Sequence, residues 1–204
     1  MHAIKKSPAV EYNHLKLDYA STHRDIVEKC KRGNRRAQFE LYRLYSRAMY
    51  NVCLRMVRHE QDAEDLLQNS FIDVFSKLHT FRYQSSVGAW IKRITVNNCI
   101  NHLKRNHLFF EELEERHAEE PSSAEQEEDG PPRGLDVESV KKAVDGLPDG
   151  YRAVFTLYLF EGYDHKEIAS ILEITEATSK SQYSRARKKV KELLESNQLG
   201  LAEK

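Results

Sequence analysis

Long apolar runs are missing from the 204-residue sequence, in which the longest strongly apolar stretch is 153–160. That is far short of the roughly 18 residues a membrane-spanning helix needs. The opening residues, Met1 to Lys6, carry no apolar segment ahead of a cleavage site, so neither export nor membrane insertion is expected and the cytoplasm is the expected compartment. Cysteine is scarce as well. Cys30, Cys53 and Cys99 stand too far apart for a C-x-x-C metal pair, and their odd number makes a poor disulfide framework, so they read as small core hydrophobes in a reducing compartment. There are only eight glycines, none arranged as a phosphate-binding loop, and no H-E-x-x-H, G-x-S-x-G or paired Cys/His set. No metal, cofactor or enzymatic activity is therefore expected.

Net charge is also absent, with 32 basic and 32 acidic side chains, but the balance is uneven along the chain. Residues 24–107 hold 16 Lys/Arg against 8 Asp/Glu, residues 108–136 hold 2 against 11, and residues 137–204 hold 11 of each. Within the last segment Lys180, Arg185, Arg187, Lys188, Lys189 and Lys191 form a run with no acid between Thr178 and Lys191. Two basic surfaces separated by an acidic connector suggest polyanion binding at two places.

Apolar residues recur at intervals of three and four, so the chain reads as all-α. Helices are expected over about 25–31, 37–57, 62–78 and 86–105, the second with Leu41, Leu44, Tyr45, Val52 and Met56 inward. Residues 111–134 are Glu-rich and then contain Pro121, Pro131 and Pro132, with too little apolar surface to offset the entropy of ordering. The expected organisation is an extension (1–23), a helical domain (24–107), an acidic flexible linker (108–136), a second small helical domain (137–195) and a tail (196–204).

That second domain carries a helix-turn-helix signature. Asp164-x-x-Glu167 is a capping box that starts a helix through Ile168, Ala169 and Leu172. A short turn follows at Glu173 and Ile174, and Thr175 can cap a second helix. On that helix Ser179, Tyr183, Ala186 and Val190 share one face, whereas Ala177, Ser181, Ser184, Arg185 and Lys188 lie opposite with Lys180 at the margin. Hydroxyls and an arginine followed by a cationic cluster suit base-edge and then phosphate contacts in a major groove.

In the first domain, Asp62, Asp65, Gln68 and Asn69 cluster near a helix start, where acids complement the helix dipole and can also dock a basic protein. Downstream, the polar loop 81–86 leads into Trp90, Lys92, Arg93, Asn97, Asn98, Asn101, His102, Lys104 and Arg105, with no acid from Gln84 to Phe110. Aromatics, amides and cations together provide stacking planes, base-edge partners and backbone neutralisation for a single strand. Trp90 fits either that surface or the apolar face it shares with Ile94.

Taken together, these blocks resemble the bacterial sigma factors of RNA polymerase, specifically the extracytoplasmic-function type. The run 62–68 with Phe71, Phe75, Trp90, Ile91, Arg93, Ile94 and Asn97 is similar to the family's region two. Leu147-Pro148, Tyr151-Arg152, Glu167-Ile168-Ala169 and the stretch 180–188 are similar to region four. The resemblance implies a non-enzymatic initiation subunit. Asp62, Asp65, Leu66, Gln68 and Asn69 would dock on core RNA polymerase. The loop residues Tyr83, Gln84, Ser85 and Ser86, with Trp90, Arg93, Asn97, Asn101, Lys104 and Arg105, would capture the unpaired strand of the minus-ten element. Lys180, Ser181, Ser184, Arg185, Arg187 and Lys188 would enter the duplex minus-thirty-five element. An anti-sigma factor would be a further partner. Glu173 and Ala177 stand where the family often has glycine, and Asn69 where an acid is usual. The alternative is a helix-turn-helix regulator that binds duplex DNA without polymerase, in which the amide-rich stretch from Trp90 to Arg105 has no evident purpose.

Overall fold

A computed structural model describes residues 22–105 and 137–202. Most of the extension 1–23 and all of the acidic linker 108–136 lie outside the described residues. Eight α-helices, and no strand, are found among them: α1 (Arg24–Lys31), α2 (Arg35–Val57), α3 (Glu60–Lys77), α4 (Val87–Lys104), α5 (Val137–Asp145), α6 (Asp149–Phe155), α7 (His165–Leu172) and α8 (Glu176–Ala202). None of these helices is long and apolar enough to cross a membrane.

Helix boundaries follow local chemistry. α1 stops at Arg32, after which Gly33 takes φ 78°, a left-handed conformation that glycine adopts without a Cβ penalty. Asn34 then caps α2 by accepting the Ala37 N–H at 3.0 Å. α2 buries Leu41, Met49, Val52, Cys53 and Met56. Leu44, expected inward, is 42% exposed. Tyr45 covers that side of the helix instead, its ring packed where a Cβ on Gly88 of α4 would come within 2.8 Å. The three cysteines are buried and reduced, and a hydrogen bond to Cys53 together with burial holds the Cys99 thiol well above its ordinary value.

In the second half, α6 continues as a π-helical turn, Thr156–Phe160, before Gly162 (φ 74°) ends it. A small core joins Ala143, Val144, Leu147, Tyr151 and Phe155 to Ala186, Val190 and Leu194 of α8. The rest of this half does not stand alone. Ala153, Val154, Leu157, Ile168 and Leu172 belong to the same apolar cluster as Leu41, Met56, Ile91 and Ile100 of the first half.

Charge reinforces that junction. The Glu161 carboxylate, 5% exposed, accepts from Arg55 at 2.5 Å and lies 3.7 Å from the Lys92 ammonium, which also donates to the Glu161 carbonyl at 2.7 Å. Arg58 pairs with Asp149 at 3.3 Å and donates to the Asp145 carbonyl. Lys104 at the end of α4 meets Glu173, in the turn between α7 and α8, at 2.6 Å. The buried Arg152 guanidinium reaches back from α6 to the Met56 carbonyl of α2. Both expected helical regions are present, and they are joined by a shared core and an ionic seam.

Candidate nucleic-acid interfaces

α4 begins where the Ser86 hydroxyl accepts the Ala89 N–H at 3.1 Å. Its apolar side, with Val87, Ile91, Val96, Cys99, Ile100 and Leu103, is buried. Arg93, Asn97 and Asn101 are all exposed at intervals of four, and Arg105 continues the line just past the helix end. Four of the expected single-strand residues thus form one stripe. Lys104 is not on it, because its ammonium turns toward Glu173 and holds that carboxyl below its usual value. Trp90 is half-buried, its ring 5.3 Å from that of Phe81.

In the loop, Gln84 and Ser85 are exposed, whereas Ser86 is occupied as a cap. Tyr83 is caged. Its ring packs on Phe81 at 4.8 Å, with the Arg24 guanidinium and the Lys31 ammonium 4.7 and 4.6 Å from its centroid. Its hydroxyl donates to Glu28 at 2.5 Å; burial and that bond push the phenol up to about 12.

The acids at the start of α3 face α4 rather than open solvent alone. Asp62, Asp65, Leu66 and Asn69 line a groove of about 490 Å³ whose other wall includes Asn101, His102 and Arg105. Ile72, 66% exposed, lies along the same groove. His59 and His102 approach the Asp62 carboxylate at 3.5 and 3.8 Å. Gln68, expected with these acids, lines a separate depression with Tyr42 and Tyr50. The expected polymerase and single-strand surfaces are therefore contiguous through Asn101 and Arg105.

The helix-turn-helix has the expected local chemistry. Asp164 accepts the Glu167 N–H at 2.7 Å while the Glu167 carboxylate accepts the Asp164 N–H at 2.9 Å, completing the capping box. Glu173 takes the left-handed conformation, φ 62°, that the turn requires, so glycine is favoured there but not obligatory. Thr175 caps α8, accepting the Thr178 N–H at 3.0 Å. Ser179, Gln182, Ala186 and Val190 are buried, and Tyr183 packs 4.4 Å from Tyr158. His165 stacks on Tyr158 at 4.5 Å and bonds the Ser179 hydroxyl at 3.0 Å, locking α7 to α8; burial, then Lys180, holds its imidazole below the ordinary value. Lys180, Ser184, Arg187 and Lys188 are exposed on the outer side, with Ser181 and Arg185 half-exposed between them. Lys180 is 2.7 Å from Glu176.

Residues 41–108 match the family model described as Sigma-70 region 2, and residues 138–190 match Sigma-70, region 4. The chain is 30% identical over 167 residues to the ECF RNA polymerase sigma factor SigM of Mycobacterium tuberculosis, covering 79% of each protein. The chain belongs to the ECF RNA polymerase sigma factors. It is also 29% identical to the RNA polymerase sigma-H factor of Pseudomonas aeruginosa, over 83% of this chain and 92% of that one. The fold of this sigma factor is shared with the Bartonella quintana sigma factor RpoE solved in complex with the anti-sigma factor NepR. The TM-score is 0.52 at 24% identity, over 76% of this chain and 95% of that one.

Arg152, Glu161 and Arg55 escaped the sequence reading as functional groups. The signal in the sequence is that Arg152 and Glu161 bracket the longest apolar run of the sigma factor, 153–160, which places them beside the core but names no partner for either.

Proposed function

We propose that this chain is the subunit that gives RNA polymerase its promoter specificity, without enzymatic chemistry of its own, acting in the cytoplasm. The observation that carries the reading is the α4 stripe of Arg93, Asn97, Asn101 and Arg105, which runs into an acidic groove on α3 while a separate basic helix, α8, faces outward. Three chemically distinct surfaces suit three partners. The groove at Asp62, Asp65, Leu66 and Asn69 takes a basic, partly apolar helix surface of core polymerase, with Gln68 beside it. The stripe and the loop at Gln84 and Ser85 take the unpaired minus-ten strand, where amides read base edges and arginines neutralise phosphates. Lys180, Ser181, Ser184, Arg185, Arg187 and Lys188 enter the major groove of the minus-thirty-five duplex. A flipped base that gains stacking and hydrogen bonds offsets its cost of unstacking, so melting needs no catalyst.

Bridging both elements requires the two halves to part. The elements lie about 25 base pairs apart by their names, roughly 85 Å at 3.4 Å per pair. A compact chain of this length is only about 43 Å across. The acidic linker 108–136 then spans polymerase between the two sites, and an anti-sigma factor that held the halves together would oppose initiation.

The test is run-off transcription with purified core polymerase on a promoter library, with and without this protein. Protein-dependent starts at sites sharing an upstream and a downstream element are expected; their absence, with no co-purification with core polymerase, would refute the reading in favour of a duplex-binding regulator. Arg185→Ala is expected to weaken duplex upstream binding by about 1–3 kcal/mol and leave polymerase affinity unchanged. Asp65→Arg is expected to lower core-polymerase affinity at least about tenfold by placing a like charge against a basic partner, while upstream duplex binding persists. If both substitutions impaired DNA binding alone, the groove would not be the polymerase surface.

A further inference from the structure

α1 lies outside the matched region-two segment, which begins at residue 41, yet its polar side chains converge on the loop expected to take the unpaired base. Ile26, Val27 and Cys30 bury one side of α1 in the core, so the helix is fixed rather than appended. From its other side Glu28 accepts the Tyr83 hydroxyl at 2.5 Å. Lys31 donates to the Phe81 carbonyl at 3.0 Å and lies 3.5 Å from the Glu28 carboxylate. Tyr83 itself adopts φ 59°, a left-handed conformation disfavoured for a bulky side chain, so something outside the loop must hold it. Glu28, Lys31 and Arg24, all on α1, are the groups that contact its hydroxyl and ring from outside the loop. Gln84 and Ser85, next along the chain, remain exposed.

We propose that α1 is a positioning element of the single-strand site, in which Glu28 and Lys31 pin the loop at Phe81 and Tyr83 so that Gln84 and Ser85 are held toward the unpaired base. This rests on the reading that the loop takes that base. Tyr83 acts here as an anchor and not as a stacking plane, since two cations and Phe81 already lie against its ring. The bond to Tyr83 is the leading reason the Glu28 carboxyl lies below its usual value, and the anchor is accordingly a charged acceptor.

The experiment uses the full chain bound to core polymerase. Its probe is the nontemplate-strand oligonucleotide of a promoter that the wild-type protein serves, with 2-aminopurine in the downstream element. Glu28→Ala and Tyr83→Phe are each expected to weaken capture of this strand about tenfold, the loss of one charge-assisted hydrogen bond. The double variant should be no worse than either single one, because both remove the same bond. Glu28→Gln keeps an acceptor and should restore capture to within about threefold of wild type. The 2-aminopurine signal at the unstacked position should fall in the two disruptive variants and recover in Glu28→Gln. Upstream duplex affinity and core-polymerase affinity should stay unchanged. Unchanged strand capture would overturn the proposal, as would equal losses in all three affinities that track a lower melting temperature. A wild-type protein that captured no strand would instead sink the reading of the loop itself, so the two failures are distinct.

Discussion

Replacing Glu161 by alanine is expected to shift the balance between the packed and parted halves by about 3 kcal/mol toward parting, near the lower bound for breaking a buried ion pair. The carboxylate is 5% exposed and is shared by Arg55 and Lys92, both on the first half. Without it, two cations of α2 and α4 face each other in the seam, and the Arg55 Nε, already buried with no partner among the described residues, loses the acceptor of its sister nitrogen. The lower bound applies because Arg55 keeps 35% of its side chain in water. The substitution touches neither the packing of α1 to α4 nor the small core that joins α5 and α6 to α8, so each half should keep its helices. Solution scattering should report a larger radius of gyration, and amide exchange should quicken around Arg55 and Glu161 but not in the core of α3. Wild-type scattering and wild-type exchange in the variant would show that the Glu161 ion pairs do not hold the seam. Because Lys92 is bound to Glu161 and Lys104 to Glu173, parting also frees two cations at the edge of the α4 surface.

Much of this arrangement was legible from spacing and local chemistry. Periodicity located α1 to α4 to within a few residues, and the Asp164 to Glu167 box and the Thr175 cap stand where a local hydrogen-bond argument puts them. The inner and outer sides of α8 followed from the helical angle alone, because Ser179, Ala186 and Val190 are one face of one rigid element. The seam was not legible. Arg55 and Glu161 are 106 residues apart, and no local rule distinguishes a charge that will be buried against a distant helix from one that will be solvated. The same holds for Lys104, which sits in an acid-free stretch suited to nucleic acid but meets Glu173 across the junction. Tyr83 was unpredictable for a different reason: its left-handed backbone is enforced by α1 from outside the loop, and no glycine or asparagine marks the position. Leu44 failed because helical periodicity gives the buried arc only to within about a residue's angle, and Tyr45 occupies its edge.

Arg152→Leu should cost still more, about 4 kcal/mol, because it leaves polar groups buried without partners rather than merely removing a contact. The guanidinium is 1% exposed and donates to the Leu147 carbonyl at 2.8 Å and to Asp149 at 2.5 Å. Its Nε and one terminal nitrogen both donate to the Met56 carbonyl, at 3.3 and 3.2 Å. Met56 is in the last turn of α2, where carbonyls have no partner within the helix and carry the negative end of its dipole. Arg152 therefore caps a helix of the first half from within the second. Burial pulls its pKa down and Asp149 pushes it back up, so the cation is kept where a buried charge would otherwise be penalised. Leucine fills the space but donates nothing. Lysine keeps the charge but is a point donor that cannot serve Met56, Leu147 and Asp149 from one planar fork, so Arg152→Lys should recover only part of the loss. Denaturant unfolding of both variants against wild type measures this directly. Equal stability of Arg152→Lys and wild type would mean that charge alone matters at this position, and the fork geometry would have no energetic role. A leucine variant as stable as wild type would mean that the α2 terminus finds other donors, and that the second half docks on the first through apolar packing rather than through this cap.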